Sequence, residues 1–193
     1  MLANTILRIV LLTSLAQAFV IPLGTGEGLY RAYVNERGDE IHERISSVPN
    51  LKHSAAPAPT TSNIPATLQA RQQSATMFCG CGFTLTPSNC DAAVSNIEAQ
   101  LSQANGIIPA DSTFYYIFGD VVAFACNRGV TIGIADGTYA DMLVQITNAC
   151  GWYMAGTYQT IDGYGMDILY GYMRYWDGLD FCANADSSPA HSC

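Results

Sequence analysis

The sequence predicts an α+β protein: a two-layer sandwich in which two helices cover one face of an antiparallel sheet, with disulfides running between the layers. Three observations carry this. Two apolar stripes recur at helical spacing, and short β-branched and aromatic runs alternate with them between Gly, Pro, Asn and Asp punctuation. All seven cysteines of the 193 residues lie after Met77.

Residues 1–18 read as a signal peptide. Ile6 to Leu15 is a short apolar run, and Ala16-Gln17-Ala18 supplies the small-x-small pattern that places processing after Ala18. The run is too short for a membrane anchor, and no other stretch approaches the ~20 apolar residues of a spanning helix. The polar carboxy terminus lacks the hydrophobic tail of a lipid-anchor signal. These features predict a soluble protein released to the extracellular space.

Residues 19–71 read as a pro-segment. Gly28 to Val34 and Ile41 to Ile45 form two extended runs around a Gly-containing turn. Such a hairpin alone is marginal in water. A Pro, Ala and Thr-rich stretch follows, from Ser54 to Ala66, which cannot bury a core. It ends in Leu68-Gln69-Ala70-Arg71, and Arg71 is the expected processing position, since proteases need an extended, exposed backbone. The bland alternative is a solvated arginine.

A disulfide-stapled domain is expected over residues 72–183, with a polar tail over 184–193. Met77 to Thr86 reads as a first strand, and Pro87-Ser88-Asn89 opens a helix with Cys90, Val94, Ile97 and Leu101 on one side, stopped by Gly106. Thr113 to Phe118 and Val121 to Cys126 form a hairpin around Gly119-Asp120. After a short run from Val130 to Ile134, Asp136 can cap a second helix with Tyr139, Met142, Leu143, Ile146 and Cys150 inward and Gly151 as its stop. Trp152 to Tyr158 and Ile168 to Tyr175 make a last strand pair. Strand, helix, two strands, helix, two strands fits a ferredoxin-like arrangement.

Cys79, Cys81, Cys90, Cys126, Cys150 and Cys182 are the disulfide candidates, and Cys193 on the polar tail is the candidate for an unpaired or intermolecular thiol. Only Cys79 and Cys81 lie close in sequence, which is not a zinc-ligand pattern, so no metal is expected. Cys90 and Cys150 should point from helices toward the sheet.

Beyond Arg71, Arg128 and Arg174 stand against eleven Asp plus Glu, a net charge near −9, with no lysine. Nucleic acid and anionic membranes need basic patches and are excluded as partners.

Several short motifs together resemble fungal secreted cysteine-rich effectors of the killer-toxin-like and necrosis-inducing group. They are Cys79-Gly80-Cys81-Gly82, Cys90-Asp91, Val121 to Asn127, Ile146 to Gly151, and Gly171 to Tyr175 with Cys182. Leu68 to Arg71 also resembles the Leu-x-x-Arg sites cut by kexin-type proteases ahead of such effectors. The resemblance spans roughly residues 77–182 and implies an extracellular α/β sandwich that acts by binding a host or competitor, without being an enzyme. The absence of lysine after Arg71 departs from toxins thought to act through a surface lysine.

Catalytic chemistry finds little purchase. His42 and His53 fall in the expected pro-segment and His191 in the tail, which removes His-dependent triads from the domain. Gly133 and Gly137 do not form a phosphate loop, and no cofactor is implied. Asp162, Asp167, Asp177 and Asp180 could pair as glycosidase carboxylates, but Asp162-Gly163 and Asp177-Gly178 are ordinary turn dipeptides. Trp152, Tyr158, Tyr170, Tyr172, Arg174 and Trp176 crowd the last two strands. They are candidates for a face that docks a protein or stacks on a cell-wall glycan, against the alternative of core under the helices. The expected function is a non-enzymatic effector or toxin-like binder, and the alternative a glycan-binding module or a small carboxylate-dependent glycoside hydrolase.

Overall fold

A computed structural model of the chain describes residues 19–45, 73–103, 106–135 and 137–193. The predicted processing positions Ala18 and Arg71 lie outside them. In chain order the elements are β1 (Gly28–Val34), β2 (Glu40–Arg44), β3 (Gln73–Thr84), α1 (Pro87–Gln103), β4 (Ile107–Ile108), β5 (Ser112–Phe118), β6 (Val121–Asn127), β7 (Ile132–Gly133), α2 (Thr138–Cys150), β8 (Met154–Asp162), β9 (Asp167–Arg174) and α3 (Phe181–Asn184).

Both long helices form where the apolar spacing places them. Ala93, Ile97 and Leu101 bury one side of α1, and Tyr139, Leu143, Ile146 and Cys150 one side of α2. The start of α1 is tied to the β5–β6 turn by Asp120, which accepts hydrogen bonds from Asn89 Nδ2 at 2.8 Å and Thr86 Oγ1 at 3.2 Å. That approach requires Gly119, whose φ is +54° and where a Cβ would stand 2.2 Å from Asn89. The expected helix cap, Asp136, lies outside the described residues; Gly137 occupies the N-cap of α2 without a side-chain bond. Gly151 ends that helix, as the sequence predicts, donating its N–H to the Thr147 carbonyl at 2.9 Å.

Seven strands join in the order β2-β1-β5-β6-β9-β8-β3, and β4 pairs separately with β7. Among the described residues every ladder is antiparallel. This differs from a ferredoxin-like split βαβ unit, which needs parallel neighbours. The β8–β9 hairpin sits between β6 and β3 and keeps the strand before α1 at the edge.

Two cores lie on opposite faces. On the helix face, Ala93, Ile97, Leu143 and Ile146 pack on Phe114, Ala123, Tyr170 and Tyr172. On the other, Phe19, Ile21 and Tyr30 pack with Tyr115, Phe124, Leu169, Leu179 and Phe181.

That second core corrects the expected domain boundaries. The folded unit includes residues 19–45, which a start at residue 72 would exclude. Its hairpin is not isolated: β1 pairs with β5 from Gly28↔Ile117 to Tyr33↔Ser112. Residues 184–193 are likewise no free tail. They lie along β3, with Cys79 N–H donating to the Ala190 carbonyl at 2.8 Å and Ser188 Oγ to the Cys79 carbonyl at 2.6 Å.

Disulfides join Cys79 to Cys150, Cys81 to Cys193 and Cys126 to Cys182. The first ties α2 to β3, so Cys150 does link layer to layer. Cys193 is therefore paired, contrary to expectation, and buried Cys90 is the free thiol. The reason is tertiary: the carboxy-terminal chain returns along β3 and delivers Cys193 to Cys81, whereas Cys90 is enclosed in the helix-face core.

Ile21 is 0% exposed. Ile21→Ala should lower the unfolding free energy of the full chain by about 2–5 kcal/mol, measured by denaturant titration; a change within about 0.5 kcal/mol is what a solvated leader would give.

Candidate functional site

The aromatic candidates do not share one surface. Alternation along β9 turns Ile168, Tyr170 and Tyr172 toward the helices, and Leu169 toward the opposite core. Tyr170 and Tyr172 are 3% and 4% exposed, so they are core. The Tyr170 ring meets Tyr139 edge-on at 6.0 Å, and Tyr139 donates its hydroxyl to the Gly171 carbonyl at 3.1 Å. Burial pushes the Tyr172 phenol up to about 12 and raises Tyr170 as well.

Tyr158 stands directly opposite Tyr170 across the β8–β9 ladder and is half-buried. Together they help line a groove of about 400 Å³ with Ala75, Ile134, Met142 and Met166. Its described lining carries no charged side chain. The groove opens at the end of the sheet where Ala75, Thr160 and Ile168 are in register.

Trp152, Arg174 and Trp176 belong to the other end. Trp152 is 76% exposed in the turn between α2 and β8, and Trp176 is 51% exposed just after β9. The register Thr84↔Met154, Gly156↔Tyr172 and Val121↔Arg174 brings the end of β3, the start of β8, the end of β9 and the start of β6 to one rim. Exposed Phe83 lies on the same rim, next to a register shift in β3 between Cys79 and Thr84. Phe83 is not among the residues the sequence singles out; an aromatic directly after Gly82 was the available signal, and the structure gives that glycine a φ of +89°.

The backbone holds this rim firmly. Leu85 N–H donates to the Tyr153 carbonyl at 2.8 Å and Tyr175 N–H to the Asp120 carbonyl at 2.8 Å. Acidic groups border it: Asp91 accepts from Tyr153 Oη at 3.4 Å, and Asp177 from Tyr175 Oη at 2.9 Å.

Each carboxylate weighed for glycoside hydrolysis has a local structural partner. Asp162 accepts the N–H groups of Tyr164 and Met166 at 2.8 and 3.0 Å, closing the β8–β9 turn. Asp167 accepts from Gln159 at 2.8 Å. Asp177 also accepts the Gly24 N–H at 3.3 Å, and Asp180 caps α3 through the Ala183 N–H at 3.0 Å.

Contrary to the sequence-based expectation, His42 belongs to the folded unit. Its Nδ1 lies 2.7 Å from Tyr115 Oη and its Nε2 2.5 Å from Glu40. Tyr115 is fully buried, stacked on Tyr30 at 5.1 Å and tilted against Phe181 at 4.9 Å. Burial raises its phenol, and no substrate reaches it. The trio fastens β2 to the sheet. His191, also placed in the fold, accepts no such role: its ring packs on Phe78 at 5.8 Å and bonds the Met77 carbonyl at 2.5 Å. Among the described residues no group of three His, Cys, Asp or Glu is placed to hold a metal ion.

Burial, with the charges of Asp91 and Asp120, pushes the Cys90 thiol up to about 12. Unreduced native protein should therefore take up no alkylating reagent at pH 8, and one adduct per chain after unfolding, read by intact mass. A thiol raised in the folded state favours folding below its ordinary value of 9.0 and loses that contribution as pH rises toward about 12. Cys90→Ser should flatten the decline of stability in that window. Trp152→Ala and Trp176→Ala should each change stability by less than about 0.5 kcal/mol, whereas Tyr172→Ala should cost roughly 3–5 kcal/mol, all by denaturant titration. Compared with known protein families, with curated protein sequences and with solved structures, the chain finds no match.

Proposed function

We propose that this is a secreted, non-enzymatic effector or toxin-like protein that binds a host or competitor target through the rim bearing Trp152 and Trp176. The observation that carries the reading is that both tryptophans of the chain are exposed, at 76% and 51%, at the same end of the sheet. Tryptophan is highly buried on average, and it is enriched among the residues that dominate binding energy. The frame behind the rim is rigid, with three disulfides of which one fixes α2 to β3. Disulfides of this density persist in oxidising compartments, and among the described residues no helix is long and apolar enough to cross a membrane. The disulfides support an extracellular protein.

The resemblance to killer-toxin-like fungal effectors forms part of the reading. An antiparallel sheet with both long helices packed in one core is compatible with it. The acidity beyond Arg71 favours a protein or neutral wall glycan over nucleic acid or anionic lipid. The hydrolase alternative draws less support, because Asp162, Asp167, Asp177 and Asp180 are each engaged in holding a turn, a cap or a neighbouring side chain.

Applied to host or competitor cells, the purified oxidised protein should cause death or growth arrest. Trp152→Ala and Trp176→Ala should each raise the half-maximal dose about tenfold or more, in keeping with buried aromatic anchors at interfaces. Hydrolysis of wall polysaccharide that Asp167→Asn abolishes would overturn the binding reading in favour of the hydrolase.

A further inference from the structure

The amino-terminal strands are joined to the rest of the protein without a covalent staple. Residues 1–78 contain no cysteine, so none of the three disulfides reaches β1 or β2. What holds them is the β1–β5 ladder and the burial of Phe19 and Ile21 beside Leu179 and Phe181. Ile21 N–H donates to the Leu179 carbonyl at 3.0 Å, and Val20 bridges Asp180. Tyr175 Oη, which donates to Asp177, lies 3.1 Å from the Thr25 carbonyl, Gly119 N–H donates to the Glu27 carboxylate at 2.9 Å, and Tyr115 pairs with His42. Every one of these partners lies beyond Arg71 in sequence.

The connecting chain is longer than the joint needs. β2 and β3 occupy opposite edges of the seven-stranded sheet, roughly 30 Å apart at the usual strand spacing. Residues 46–72 reach roughly 90 Å when extended. That connection therefore puts no tension on the pairing of β1 with β5, and what it contributes is a high effective concentration of one segment for the other.

We propose that the face formed by β5 and residues 175–182 is a strand-docking site whose occupant is residues 19–45, and that this occupant stays bound when the chain is cut after Arg71. Processing then yields a two-chain protein and not a trimmed one. The docked chain closes the outer edge of β5, which would otherwise present unpaired N–H and C=O groups, and it covers Tyr115, Ile117 and Phe181. This inference is independent of the target that the tryptophan rim binds.

The test uses the full oxidised chain carrying Ala70→Lys, which makes the Arg71 site dibasic, cut to completion by a kexin-type protease and checked by denaturing electrophoresis. Native mass spectrometry and size-exclusion chromatography at about 1 µM should show both fragments in a single 1:1 species, since a docked occupant needs a dissociation constant below that concentration. Separation of the fragments, whether residues 72–193 remain folded or aggregate, overturns the proposal. In the same cut protein, Ile21→Ala should raise the dissociation constant by about 30-fold or more. An unchanged constant would remove residues 19–45 from the docking site.

Discussion

Strand β6 is buried at all of its positions, from Val121 to Asn127, and that double burial demands a cover on each face of the sheet. One cover is conventional: α1 lies over Val121, Ala123 and Ala125, with α2 continuing the layer over β8 and β9. The other is assembled from segments far apart in the chain. Phe19 and Ile21 come from the stretch before β1, Leu179 and Phe181 from the carboxy-terminal segment, and they meet over Val122 and Phe124. The Phe124 and Phe181 rings lie 5.5 Å apart, and Tyr115 and Tyr30 extend the aromatic cluster outward to the edge. Burying a large apolar side chain contributes about 1.5–3 kcal/mol, so losing either segment would leave the central strand half covered.

The disulfides reinforce these covers at their edges. Cys126–Cys182 fastens α3 beneath β6, and Cys81–Cys193 fastens the returning tail along β3. Arg128 adds to the first: it pairs with Asp186 at 2.6 Å and donates to the Cys182 carbonyl. Buried Asn127 performs the equivalent task at the end of β6. Its Nδ2 lies within 3.0 Å of the carbonyls of Ile108, Pro109 and Val130, and its Oδ1 accepts the Gly129 N–H at 3.0 Å, so the loops around β4 and β7 have their polar groups satisfied. With the frame locked in this way, exposed side chains such as Trp152 and Trp176 are held by rigid turns.

Local chemistry determined the helices, the β5–β6 and β8–β9 hairpins and the burial of Tyr170 and Tyr172 as one of two open readings. Each follows from spacing within a few residues: a 3.6-residue stripe, a two-residue turn, or a dipeptide such as Asp162-Gly163. The extended runs of β1 and β2 were legible too, but their value was not. Judged alone, a hairpin with no cysteine and a Pro-rich sequel is marginal, and nothing within it announces that β5 waits more than seventy residues away. Of the site, the exposed tryptophans were named, while Phe83 and the groove were missed because both arise from a shift of register in β3 and from the packing of α2 over β8 and β9.

What the sequence by itself determined, then, is the α+β class, the order of the two long helices and the long strands from β3 to β9, and the acidity that narrows the partners; the short β4 and α3 were not legible in it. Period and composition are local quantities and survive without a partner. Only the tertiary structure decided which segments cover which face, that Cys193 is bonded and Cys90 is not, and that His42 belongs to the fold. Those outcomes depend on distances between segments far apart in the chain, which a central strand buried on both sides brings together and no sequence interval records.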